Sequence, residues 1–210
     1  MSDYEIVPDG FLGVTPAGAY YAVSDDREEP ARELLRALLE EARTPPCTPE
    51  ELARLSGIPD LDSIGELVWR MEEAGWLRGL EQPRAAPDCD MEGSVPRLLA
   101  ALSDHGQACL ADTAGFYLAR AGFPHEAAEE LAALSADLGS LHDRHRGLLQ
   151  NNLRLPGSAW GLIDAAGHSR LGIWPLFIGG HRFSLVIEGP PRFAQPAFSD
   201  FVWSLCNRYR

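Results

Sequence analysis

Lysine is missing from this 210-residue chain, and all eighteen of its basic residues are arginine. That absence assigns no mechanism, but others exclude something. No G-x-x-x-x-G-K-[ST] loop is present, so the lysine-bearing phosphate cradle is ruled out, and Gly179-Gly180 reads as a turn. Cysteine is sparse: Cys47, Cys89, Cys109 and Cys206 stand far apart, without C-x-x-C spacing or a histidine at zinc-knuckle distance, so free thiols are expected. No apolar run approaches the roughly 20 residues that span a bilayer. The opening MSDYEIVPDG carries acids and no apolar signal core, so a cytoplasmic protein with no membrane span is expected.

What is present is acid, unevenly spread. The net charge is −13. Residues 1–90 hold 20 Asp/Glu against 8 Arg, a balance of −12, and residues 91–210 hold 11 against 10, a balance of −1. The segment between, around Glu81–Asp90, is polar with two prolines and no apolar period, which reads as a linker. The expected division is therefore 1–80, a linker over 81–91, and 92–210.

In the first part, Phe11–Val14 and Ala19–Val23 are apolar runs flanking Thr15-Pro16-Ala17-Gly18, which suits a type I turn, so a β-hairpin is expected to open the chain. Three helices follow. Leu34, Leu35, Leu38 and Leu39 mark the first. Thr48-Pro49-Glu50-Glu51 is a capping box with proline at the first helical position and opens the second. Ile64, Leu67, Val68 and Met71 mark the third, which stops at Gly75 before a short strand at Trp76-Leu77. The segment TPEELARLSGIPDLDSIGELVWRMEEAGWL resembles a winged helix-turn-helix core, and the leading hairpin makes the unit similar to the PqqD-like variant, whose relatives bind peptides. The resemblance implies a peptide-accepting edge at Phe11, Leu12, Val14, Tyr20 and Tyr21. DNA binding is disfavoured, since Glu50–Glu73 carries seven acids and two arginines where a duplex rewards cations.

In the second part, a short helix with Leu98, Leu99 and Leu102 precedes strands over Gln107–Asp112 and Phe116–Ala121. A long helical pattern runs from His125 to Asn151 and is broken by Pro156-Gly157. Strands are expected over Trp160–Ala165, Arg170–Ile178 and Phe183–Glu188. Pro175 cannot donate to a ladder, so its strand is an edge there or carries a bulge. A final helix from Pro196 carries Phe198, Val202 and Leu205 toward a core. The order gives an α+β layer fold with a five-stranded antiparallel sheet. The stretches QACLADTAGFYLARAG, EAAEELAALSADLGSL and WGLIDAAGHSRLGIWPLFIGGHRFSLVIEG resemble, in order and spacing, the Roadblock/LC7 family with its MglB-like members, over residues 92–210. The resemblance implies non-catalytic scaffolding and a homodimer, or a dimer with a related roadblock protein, that pairs long helices and joins sheets edge to edge. It also implies Ras-like small GTPases as partners.

The long helix has two faces. Leu131, Leu134, Leu138, Leu141, His145 and Leu148 recur at alternating spacings of three and four, a heptad-like seam. Ala128, Ala132, Ala136 and Gly139 form a small-residue face open to close approach. Together Ala128, Leu131, Ala132, Leu134, Ala136, Leu138, Gly139 and Leu141 are the candidate dimer interface, and the pattern leaves open which face meets the sheet and which meets a partner. No catalytic constellation appears, and no cofactor is implied. His142 and His145 share a helical face beside Asp143, short of the four ligands of a structural zinc site, and suit a helix-end charge role. Ser169 beside His168 has no nucleophile elbow. Trp160, Trp174 and Trp203 read as core or interface anchors.

Overall fold

The computed structural model describes residues 10–155 and 157–210. The opening segment 1–9 and the helix breaker Pro156 lie outside them. The chain is α+β, with a two-stranded and a five-stranded antiparallel sheet among the described residues. It divides into two compact units. One is formed by the chain up to Cys89 together with Phe193–Arg210, and the other by Asp90–Arg192. The last eighteen residues, expected in the second part, group with the first unit.

The first unit starts with β1 (Phe11–Val14), followed by α1 (Pro16–Val23), α2 (Pro30–Glu40), α3 (Pro49–Ser56), α4 (Leu61–Glu73) and β2 (Leu77–Leu80). The expected opening hairpin is corrected here, because residues 16–23 are helical and β1 pairs with β2 across sixty residues. Thr15 supplies the reason. Its extended backbone and its Oγ1, which accepts from Gly18 N at 3.1 Å, cap a helix whose first residue is Pro16. Thr48 does the same for α3, accepting from Glu51 N at 3.3 Å. Thr-Pro is one signal in both places, and at Thr15 it outweighs the turn reading. Gly18 is needed for a second reason: a Cβ there would collide with the Trp76 carbonyl, which is backbone and cannot step aside.

The last helix, α7 (Pro196–Tyr209), belongs to this unit because it completes other helices. A helix leaves its final carbonyls without intrahelical donors. At the end of α2, Asn207 Nδ2 donates to Leu39 O at 2.9 Å and to Glu41 O at 3.0 Å, and Trp203 Nε1 donates to Glu41 O at 2.9 Å. Phe198, Phe201, Val202 and Leu205 are fully buried on the same helix. In turn α2 caps α1: Arg32 Nη1 donates to Tyr21 O, and Arg36 Nε to Ala22 O at 2.9 Å. The guanidinium of Arg32 lies 4.3 Å from the Tyr21 ring centroid and is almost wholly buried.

The second unit holds α5 (Ser94–Ala101), β3 (Ala108–Ala111), β4 (Tyr117–Ala121), α6 (His125–Arg146), a π-helical continuation Gly147–Asn152, β5 (Trp160–Ile163), β6 (Ser169–Ile178) and β7 (His181–Glu188). The strands lie in the order β4-β3-β7-β6-β5, all antiparallel. The centre of the sheet is its driest part, with every residue of β3 buried and Phe183, Leu185, Val186 and Ile187 of β7 beside it. Pro175 falls where the ladder permits it. β5 pairs with β6 only from Ser169 to Ile173, so beyond that point β6 has a neighbour on the β7 side alone.

Candidate functional site

The faces of α6 are resolved by burial. Ala128, Ala132, Ser135 and His142 are its buried residues, and they turn inward at spacings of four, three and seven. Ala128 packs in one cluster with Cys109, Phe123, Ile173 and Val186 of the unit's own core. The small-residue face is thus used to bring helix and sheet together. Ala128 and Ala132 leave no surface for a partner, and Ala136 and Gly139 are only half-exposed. At Gly139 a Cβ would run into the guanidinium of Arg182, which crosses the helix there to donate to Asp143 at 2.8 Å.

The leucines lie on the other side. Leu131 and Leu138 are half-buried against the rim of the core cluster. Leu134 is 43% exposed, Leu141 38% and Leu148 48%, and their spacing of seven keeps them in one line. A stripe of leucines in water on a long helix is the arrangement that a partner surface relieves.

β5 lies along the same flank. It is the last strand of the sheet and has no further strand on its outer side among the described residues. Directly paired residues point to one face, so Trp160 sits with Ile173, and Leu162 with Leu171. Ile173 belongs to the cluster under α6 and Leu171 packs against it, so Leu162 emerges on the α6 side of the sheet. It is 63% exposed, and Ile163, beyond a register shift, is 70% exposed. Leu134 and Leu141 on α6 and Leu162 and Ile163 on β5 are thus exposed apolar residues of the same unit, and β5 has no further strand on its outer edge among the described residues. Leu162 and Ile163 were not among the candidate residues. The signal for them was two adjacent apolar residues in a short strand, which makes both of its faces apolar.

Trp160 ties β5 to the helix. Its Nε1 donates to His142 Nδ1 at 3.3 Å, and the two rings meet edge to face at 6.3 Å. Burial lowers the His142 pKa. Asp143 opposes that shift, and Arg146 and Arg182 add to it. Burial also pushes the Asp143 carboxyl up, but hydrogen bonds from Arg146 at 2.9 Å and from Arg182 outweigh it and hold the group below the usual carboxylate range. His142 and His145 do not share a surface, since the first ring is buried and the second exposed. Among the described residues no group of three or more metal-ligating side chains is assembled.

The other candidate residues are dispersed. Leu12 is buried in β1 and donates its N–H to Pro45 O at 3.0 Å, while Cys47 N donates to Gly10 O at 2.8 Å, so the outer side of β1 is already bonded. Tyr20 and Tyr21 are on α1: Tyr20 stacks on Phe193 at 5.4 Å and Tyr21 on Trp76 at 3.9 Å. Phe11, Leu12, Val14, Tyr20 and Tyr21 therefore do not form one peptide-accepting edge, which corrects that expectation. His168 is exposed, 3.5 Å from Asp164 in a turn. All four cysteines are free; burial pushes the Cys109 thiol up to about 12 and raises Cys206 as well. On α4, Asp62, Glu66, Glu72 and Glu73 are all exposed beside Trp69, which is 45% exposed. No helix is long and apolar enough to cross a membrane among the described residues. Compared with protein-family models, curated proteins and solved structures, the chain gives no match.

Proposed function

We propose that this chain is a non-catalytic adaptor. Its second unit, a Roadblock/LC7-like module, dimerises through α6 and the edge strand β5. Its acidic first unit, a winged-helix-like module, recruits a second protein. The observation that carries the reading is the exposed leucine line of α6 together with the exposed apolar edge strand β5. They offer a partner helix an apolar seat and a partner strand a free ladder within one unit.

The element order of residues 90–192, helix, hairpin, long helix and three-stranded meander, supports the family likeness. Two departures narrow it. The final helix belongs to the other unit, so the likeness covers residues up to about 192 and not 210. The first unit lacks the leading hairpin on which the PqqD-like likeness rested, which leaves the helices and the acidic surface of α4 to support a protein-recruiting role. A Ras-like GTPase is the partner proposed for the dimer. Mixing the purified chain with such a GTPase should change its rate of nucleotide hydrolysis or exchange, and unchanged turnover would remove the GTPase from the proposal.

Leu141→Glu tests the interface. Leu141 faces solvent within its own unit, so a charge there costs the fold little but buries badly against a partner. The wild type should have the mass of a dimer in solution, and the variant that of a monomer with a melting point within about 3 °C of the wild type. Leu138→Glu is the poorer probe, because Leu138 packs against the core cluster and its loss would unfold the unit. A wild type that stays monomeric at micromolar concentration defeats the reading.

A further inference from the structure

The first unit holds a small cleft between its two-stranded sheet and the helices α2 and α7. Gly13 helps to open it. This residue pairs with Arg78 across the sheet, and a Cβ there would meet Leu80 Cδ1 at 2.9 Å and the Arg78 stem at 3.6 Å, so any side chain would enter the space between them. The opposite wall is fixed. Arg84 Nη2 donates to Asp200 at 2.9 Å, its guanidinium lies 6.0 Å from the Trp203 ring centroid, and its backbone N–H donates to Thr44 Oγ1 at 2.8 Å. Leu39 and Trp203 supply apolar surface at the base. Two polar groups of the cleft remain unspent. One is Arg78. In this acidic unit Arg27, Arg54, Arg70 and Arg84 each hold a carboxylate, and Arg78, exposed on β2, holds none among the described residues. The other is the Val14 N–H. Leu12 N donates to Pro45 O on the outer side of β1, and N–H groups alternate between the two edges of a strand, so Val14 N–H points to that side as well. The bonds on this side stop at Leu12, and Val14 N has no acceptor among the described residues. Arg84 and Asp200 cancel, so Arg78 leaves the cleft one positive charge in excess.

We propose that this cleft binds a small aliphatic monocarboxylate, its head held by Arg78 and the Val14 N–H and its chain laid against Leu80, Leu39 and Trp203. The site is independent of self-association and gives the first unit a small-molecule ligand besides any protein it recruits. The chemistry of the walls selects the class. A guanidinium and a backbone N–H both donate, so the head of the ligand must accept, and a carboxylate does so in a charge-assisted pair. One negative charge balances the excess. A phosphate dianion would bring its second charge toward the Asp200 carboxylate, which repels it. A neutral alcohol offers Arg78 no charge, and an ammonium repels it. Size sets a further limit. The enclosed part of the cleft is about 20 Å³, which admits a group the size of a carboxylate and excludes a nucleotide or a fused ring. The remainder opens to solvent, where a short chain can lie along the apolar wall.

The test is a titration of the full chain with sodium hexanoate at constant ionic strength, read by two-dimensional NMR. The Val14 amide and the Trp203 indole N–H should shift together and saturate with one dissociation constant. Acetate, which lacks the chain, should bind about tenfold more weakly. Hexanol at the same concentration should leave the Val14 amide in place. Arg78→Gln removes the charge from an exposed side chain, so its melting point should stay within about 3 °C of the wild type. The same variant should bind hexanoate about tenfold more weakly, and Arg78→Lys should keep most of the affinity. Shifts that grow linearly without saturating, as solvent effects do, overturn the site. Equal affinity in Arg78→Gln overturns the monocarboxylate pairing, and phosphate binding more tightly than hexanoate overturns the ligand class.

Discussion

The hydrogen bond from Trp160 Nε1 to His142 Nδ1 needs the lone pair of that nitrogen, so it exists only while the imidazole is neutral at Nδ1. The surroundings favour that state: the ring is 5% exposed, and Arg182 from β7 and Arg146 from the same helix oppose a further positive charge, with Asp143 as the one opposing carboxylate. The folded pKa therefore lies below that of an unfolded histidine, about 6.5. In the interval between the two values the unfolded chain binds the proton and the folded chain does not. Stability from this group is then fully present above the unfolded pKa and is lost as pH falls through the folded one. Lowering the pH from 7.5 to 5.5 should reduce the melting point of the second unit, and His142→Phe should show a flatter dependence over the same interval. Equal slopes in the two proteins would remove His142 as the cause. The sequence pointed to His142 and His145 as neighbours, which they are, but the boundary between buried and exposed surface passes between them. Spacing gives the angle between two side chains and not where the sheet lies relative to that angle.

At the scale of elements, legibility followed how local the determining contacts are. α2, α3 and α4, the two long strands and α6 all announced themselves through period and caps, because their deciding interactions lie within a turn or two of sequence. α1 is the exception that shares their physics. Thr15-Pro16 is the same start signal as Thr48-Pro49, but Gly18 and the apolar run beyond it were given to a turn and a strand. The glycine was required by a contact sixty residues away, the Trp76 carbonyl, which no local pattern records. The two faces of α6 were visible as faces, and their assignment was not. Alanine and glycine face the sheet because small side chains let the helix axis approach the strands, which leaves the larger leucines outside. The edge position of β5 was equally hidden, since strand order is fixed by pairings between distant segments.

For the whole molecule, the chain leaves the first unit near Cys89 and returns to it at Phe193. Apolar residues on α7 announced that the helix is buried, and nothing in its sequence says in which core. Its polar residues answer that through their partners: Trp203 and Asn207 bind the carbonyls at the end of α2, and Asp200 binds Arg84 at 2.9 Å. The first unit is thus discontinuous and the second is contiguous, which sets an asymmetry that cutting the chain should expose. Residues 90–192 keep their whole sheet, α5 and α6, so as a fragment they should melt cooperatively and still dimerise. Residues 1–89 lose Phe198, Phe201, Val202 and Leu205 from their core, each a large side chain whose removal from such a site costs about 2–5 kcal/mol, and they lose the donors at the end of α2 as well. Four such losses sum to roughly 8–20 kcal/mol, comparable to the whole 5–15 kcal/mol that holds a domain of ordinary stability together. The 1–89 fragment should therefore show no cooperative transition by circular dichroism, and adding a peptide of residues 193–210 should restore one. A cooperative melt of 1–89 alone would show that α7 decorates a core it does not complete.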